Sequence, residues 1–174
     1  DVSSLLLDID QETHRVPSLM SDFDLTVQGD LALPGGVLRA GWLGIKEGRV
    51  VALGETSLDG DQHVSAVGKL VLPGFVDAHV HTRSNPDEGI TAATRSAAAG
   101  GTTTIIDMPF DRPSRPVRTA ESLKTKIGDV NREAIVNVAL WATFPPTGPL
   151  THIRALAEAG AAGFKASTVH VDDD

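Results

Sequence analysis

His79 and His81 stand two residues apart in Phe75-Val76-Asp77-Ala78-His79-Val80-His81, directly behind a Pro73-Gly74 break in an apolar run. Side chains at i, i+2 and i+4 of a strand share one face, so the spacing predicts Asp77, His79 and His81 lined up where a strand emerges from its apolar part. Two imidazoles so spaced can chelate one cation with their rings nearly parallel, and imidazole suits zinc, nickel, iron and related divalent ions. Asp77 is placed to orient a ligand from behind. The pair also has a plainer reading, as strand histidines bonded to backbone or water, and the residues around it weigh toward the metal.

Pro73-Gly74-Phe75-Val76-Asp77-Ala78-His79-Val80-His81 resembles the opening signature of the amidohydrolase superfamily, in the cyclic amidohydrolase branch of hydantoinases (dihydropyrimidinases), allantoinases and dihydroorotases. Gly100-Gly101-Thr102-Thr103-Thr104-Ile105-Ile106-Asp107-Met108-Pro109 is similar to that branch's next segment, and Ala162-Gly163-Phe164-Lys165 to its lysine segment. The likeness runs from Phe23 to the last residue, with the three motifs in the family's order.

The resemblance implies two divalent metal ions, zinc first among them, at the mouth of a barrel, bridged by a lysine that carbon dioxide has carboxylated. Lys165 matches that lysine; without the motif it would read as a solvated lysine at a strand end. His79 and His81 match the histidines of the more buried metal. The reaction implied is hydrolysis of a cyclic amide by a metal-activated hydroxide. The general base, an aspartate in the family, and the second metal's histidines are expected beyond Asp174, so no catalytic acid or base is assigned within the chain. His170 follows Lys165 too closely for that role.

For the substrate, Arg83 is similar to the arginine of the dihydroorotase pattern His-x-His-x-Arg, which pairs with a substrate carboxylate through a bidentate contact. Asn85 could add an amide contact from the same loop. Arg83 can equally be a surface loop arginine, and Asp107 can anchor a loop or touch chemistry. Phe110 stands where dihydroorotases usually have asparagine, and Asn85-Pro86-Asp87 replaces their Pro-Gly. Allantoin-like or hydantoin-like ureide rings are therefore expected ahead of dihydroorotate.

Short β-like runs over Phe23–Val27, Trp42–Lys46, Val50–Leu53 and Lys69–Leu72, with turn signals at Pro34-Gly35-Gly36 and Glu47-Gly48, predict a small antiparallel β unit. After His81 the pattern alternates. A helix is expected over Ile90–Ala99, with Asp87 as N-cap and Gly100 as C′ residue, then a buried strand over Thr102–Ile106. A second helix carries Leu123, Ile127 and Val130, with Glu121 in its first turn. A strand over Ala134–Trp141 follows, then a third helix over Thr151–Ala159 with Ile153, Leu156 and Ala157 on one stripe, and a fourth strand over Ala161–Ser167. Such alternation is that of a parallel sheet covered by helices.

Periodicity leaves a doubly wound sheet and a (β/α)₈ barrel both open. Chemistry at the C-terminal ends of strands suits a barrel, and the resemblance implies one, preceded by a small β-sandwich that residues from the far C-terminus complete. A complete barrel takes about 250 residues, so the fold class expected is α/β, the N-terminal half of a TIM-like barrel. Residues 20–72 form the β domain segment, and 73–174 form the first half of the barrel, truncated after its fourth strand. Residues 1–19 read as tag, linker or disordered extension ahead of Met20, and the fragment alone is expected to be inactive.

The formal net charge of −8 argues against a nucleic-acid partner, which needs a basic patch. Leu5–Leu7 is too short an apolar run for a signal peptide or a membrane span. There is no cysteine among the 174 residues, which excludes thiolate ligands and disulfides and fits a cytoplasmic location. A small-molecule cyclic amide is the expected partner, and a homodimer or homotetramer the expected assembly. Two readings of another class stand beside the enzyme: a noncatalytic structural relative, and a small open α/β binding module.

Overall fold

The computed structural model describes residues 21–85, 87–111, 115–144 and 151–166. The expected extension over 1–19 and His170 lie outside them. The chain divides into two compact units between Pro73 and Gly74.

In the first unit, β1 (Phe23–Leu33), β2 (Gly36–Lys46), β3 (Arg49–Gly54) and β4 (Gly60–Val71) form one sheet in the order β3-β2-β1-β4. Glu47 and Gly48 close the β2–β3 hairpin with φ of 51° and 72°, the left-handed pair that matches strand twist in a two-residue turn. Asp24 Oδ2 accepts the Glu47 N–H at 2.6 Å and ties that turn to β1. The unit is mixed rather than wholly antiparallel, because β4 pairs with β1 in parallel. Alternation fixes which face a residue takes and leaves its neighbour's direction open. One sheet layer is present among the described residues, with Val37, Val50, Val51, Val64 and Val67 exposed.

In the second unit, β5 (Phe75–Val80), β6 (Thr102–Asp107), β9 (Asn137–Thr143) and β10 (Gly163–Lys165) form a parallel sheet in the order of the chain. A short antiparallel pair, β7 (Phe110–Asp111) and β8 (Arg115–Pro116), follows β6 without a sequence signal that anticipated it. Sequential order is that of barrel strands, whereas a doubly wound sheet reverses at a switch point. Gly74 lets β5 start hard against β6, since a Cβ there would lie 2.1 Å from Thr103 Oγ1.

The helices α1 (Ile90–Ala99), α2 (Ala120–Glu133) and α3 (Thr151–Glu158) cover one face. Helix α1 has the predicted bounds but not the predicted caps: Gly89, not Asp87, is its N-cap. At its other end Gly100 keeps φ at −86° and Gly101 takes the left-handed conformation at +79°, so the C′ role moves one residue on. Thr119 and Ser122 form a reciprocal capping box at the start of α2, each backbone N–H reaching the other's hydroxyl at 3.1 Å. Ile90, Leu123, Val130, Leu140, Ala142 and Leu156 make the core between helices and sheet, each large side chain contributing roughly 1.5–3 kcal/mol by burial. On α3 only Leu156 is fully buried and Ala157 is exposed, so the predicted three-residue stripe narrows to one anchor. No helix of the described residues is long and apolar enough to cross a membrane.

Candidate metal centre

The C-terminal ends of the four parallel strands carry the polar residues. Asp107, Thr143 and Lys165 end β6, β9 and β10, and His81 directly follows Val80, the last residue of β5. Register and packing then assign faces. Asp107 pairs with Leu140 and Val80 with Asp107, and Leu140, Ala142 and Phe164 pack into the helix-side core. Because side chains alternate, His79, His81, Trp141 and Lys165 belong to the helix-free face, the side a closed barrel would enclose.

Asp77 does not join them. It pairs with Ile105 while Val80 pairs with Asp107, so three steps on β5 match two on β6, and the strand bulges. The cause is local: Asp77 Oδ1 accepts the His79 backbone N–H at 3.0 Å, a side-chain turn that competes with the ladder. Asp77 and Val80 therefore face α1 together, lining a groove with Ala93, Ser96 and Ala97. The expectation that Asp77 shares the histidines' face is corrected. The Ala78 carbonyl, inside the bulge, accepts the Trp141 indole N–H at 3.2 Å.

The His79 and His81 rings stand 5.4 Å apart between centroids, tilted by 47° rather than nearly parallel. Two imidazoles bound to one tetrahedral cation at about 2.1 Å would place their centres about 5 Å apart. Donor type and spacing thus fit a divalent cation, to which these residues supply two ligands. Among the described residues no group of three or more His, Cys, Asp or Glu side chains forms a complete cage. Lys165 lies at the other edge of the sheet, half-buried, and its backbone carbonyl accepts the Thr143 hydroxyl at 2.8 Å. Three inter-strand steps of about 4.8 Å separate its strand from β5, so only the curl of the sheet can bring its side chain toward the histidines.

Behind His81 lies a buried network that sequence reasoning missed. Asp107 is wholly buried and accepts the Thr82 N–H at 3.0 Å and the Thr82 hydroxyl at 2.6 Å. Of the two readings left open for Asp107, the structure gives the loop anchor. The Lys126 ammonium, only 4% exposed, pairs with Asp107 at 2.9 Å and Asp111 at 2.7 Å and donates to the Met108 carbonyl at 3.1 Å. A signal was available, since Lys126 lies on the same apolar stripe as Leu123 and Val130, three and four residues away.

Arg83 pairs with Asp129 at 2.7 Å and Glu133 at 3.2 Å, both on α2. Burial opposes its charge, but the hydrogen bond and charge of Asp129, with the charges of Glu133 and Asp111, outweigh that and raise its pKa. Asp129 in turn is held below the ordinary carboxyl value by the Arg83 hydrogen bond, against burial and with help from Arg132. A depressed folded pKa gives stability that is complete above the unfolded value of about 4 and lost as pH falls through the lowered one. Asp129→Asn should therefore be less stable at neutral pH and show a shallower acid loss between about pH 5 and pH 2; parallel acid limbs in pH-dependent melting would refute this. A cavity of about 340 Å³ beside these pairs is lined by Arg83, Asp111, Lys126 and Asp129, and neither histidine lines it. Ser84 Oγ lies 2.7 Å from His81 Nδ1, and Asn85 is exposed in the same loop, its carbonyl accepting the Glu88 N–H at 3.1 Å.

Residues 70–172 match the amidohydrolase family. The chain is 39% identical over 152 residues to an allantoinase of Rubrobacter xylanophilus, covering 84% of this chain and 33% of that protein. It is 37% identical over 137 residues to a dihydroorotase of Shouchella clausii, covering 74% and 31%. Among solved structures it resembles the L-hydantoinase (dihydropyrimidinase) of Arthrobacter aurescens with a TM-score of 0.75 and 32% identity, over 87% of this chain and 35% of that one. The chain spans about a third of the length of the curated relatives it matches.

Proposed function

The chain belongs to the amidohydrolase family, and from that premise we propose that it is part of a metal-dependent hydrolase that opens a cyclic amide in an allantoin-like or hydantoin-like ureide ring. The observation that carries this is the His79–His81 pair, 5.4 Å apart at the rim of a parallel sheet. His79 and His81 would hold one cation through ring nitrogens, and Lys165, once carboxylated, would add anionic oxygens from β10. Bound there, a divalent cation supplies Lewis-acid polarisation of the amide carbonyl and a lowered pKa for water. Asp77 acts on this centre through the His79 backbone, by holding the bulge that carries the ring. The remaining ligands and the general base are assigned to the two thirds of the relatives' length that this chain does not span.

A ring already presents its carbonyl in a fixed geometry, which saves the site the ordering of a flexible chain. The choice among rings follows from Arg83. A substrate carboxylate would have to displace Asp129 and Glu133 from a guanidinium held on both arms, which favours uncharged ureides over dihydroorotate. The test is a panel of allantoin, hydantoins, dihydropyrimidines and dihydroorotate on the full-length, metal-loaded protein. Ureide hydrolysis is expected, and turnover of dihydroorotate alone would overturn the assignment. Arg83→Ala should lower kcat/KM for dihydroorotate and for a hydantoin alike, because it loosens one loop. A loss confined to dihydroorotate would instead restore Arg83, with Asn85 beside it, as a substrate contact.

A further inference from the structure

The Ser84 hydroxyl stands between two groups, His81 Nδ1 at 2.7 Å and the Phe110 carbonyl oxygen at 3.3 Å. A carbonyl can only accept, and a hydroxyl has one proton to give. Both contacts are hydrogen bonds together only if Ser84 donates to Phe110 and His81 Nδ1–H donates to Ser84. In a neutral imidazole that arrangement leaves the Nε2 lone pair bare.

We propose that Ser84 is a positioning residue for His81, holding the ring in its Nδ1–H tautomer and aiming Nε2 at the cation. The proposal rests on the metal reading above. The loop around Ser84 is itself fixed: Thr82 is bonded twice to Asp107, and Arg83 is paired with two carboxylates on α2. Phe110 lies just past β6 in β7, so the relay refers the ring's orientation to the neighbouring strand end. A ligating histidine whose second nitrogen is so engaged is a better donor and pays less to become ordered, and loss of such a partner typically weakens metal binding about 10- to 100-fold.

The test uses full-length protein, freed of metal and labelled with ¹⁵N in its histidines, above the ordinary histidine pKa of about 6.5. Wild type and Ser84→Thr should show His81 with a protonated Nδ1 and a bare Nε2. Ser84→Ala should move that ring toward the Nε2–H form or a mixture, with zinc affinity, read by chelator competition, lower by about 10- to 100-fold and restored by threonine. A bare Nδ1 in wild type, or an unchanged tautomer in Ser84→Ala, overturns the proposal. Wild type that takes up no zinc while its tautomer still follows residue 84 sinks the metal reading and leaves Ser84's control of the ring intact.

Discussion

Replacing His79 and His81 together by alanine in the full-length protein is expected to remove divalent cation and to lower kcat/KM by about three orders of magnitude. The size follows from what a bound cation supplies, several kcal/mol of transition-state charge stabilisation, at about 1.4 kcal/mol per tenfold in rate. Both rings stand at the C-terminal end of β5, on the face away from the helices, so their loss should touch little of the core between the sheet and the helices. The melting temperature of the metal-free forms should therefore stay close to that of metal-free wild type, separating ligand loss from misfolding. Lys165→Ala in the same experiment should also abolish turnover, with short carboxylic acids restoring part of it by offering the oxygens the carbamate would have given. Unchanged metal content in the double variant would remove the histidines from the site, and full activity in Lys165→Ala would remove the lysine.

The strand and helix order of the second unit was legible where an element buries one face and shows its period, as Leu123 and Val130 do on α2 and Ile105 and Asp107 on β6. Ile90–Ala99 has the predicted bounds, whereas the strand predicted over Thr102–Ile106 gains Asp107 and is buried on one face only, at Ile105 and Asp107, with Thr103 exposed. What periodicity could not give was direction and competition. The parallel pairing of β4 with β1 joins residues far apart in sequence, and a period of two is the same whichever way a neighbour runs. Strict alternation would put Asp77 on the histidines' face, whereas its carboxylate accepts the His79 N–H and the strand takes up one extra residue there. His79, inside the bulge, and His81, just beyond it, are still neighbours, with ring centroids 5.4 Å apart. Lys126 shares the apolar stripe of Leu123 and Val130, but a lysine on a helix is usually solvated, and the strand ends packed beneath α2 show that this one is enclosed. Ser84 carried no motif at all; its interest comes from two distances.

Lys126→Met should cost about 3–5 kcal/mol of stability, far more than a typical surface substitution. The ammonium donates to Asp111 and to the Met108 carbonyl and is ion-paired with Asp107, its three oxygen neighbours lying at 2.7–3.1 Å. Methionine fills much the same volume, so the loss is chiefly electrostatic. A buried pair exchanged whole for apolar groups is often neutral, but one partner removed leaves the other charged and enclosed. Here two carboxylates are left behind, Asp111 and the wholly buried Asp107, which would keep only its bonds from Thr82. Adding Asp107→Leu should recover part of the stability by removing the orphaned charge, yet not all of it, because the Thr82 N–H and hydroxyl then lose their acceptor. That incomplete recovery is the mark of a network that serves the loop as well as the core. Since Thr82 adjoins His81, the double variant should bind cation more weakly than wild type even where its stability has returned. Denaturant unfolding of the full-length protein and both variants, read beside their metal affinity, decides the matter: a Lys126→Met form as stable as wild type would mean the buried ammonium is not what holds the rim in place.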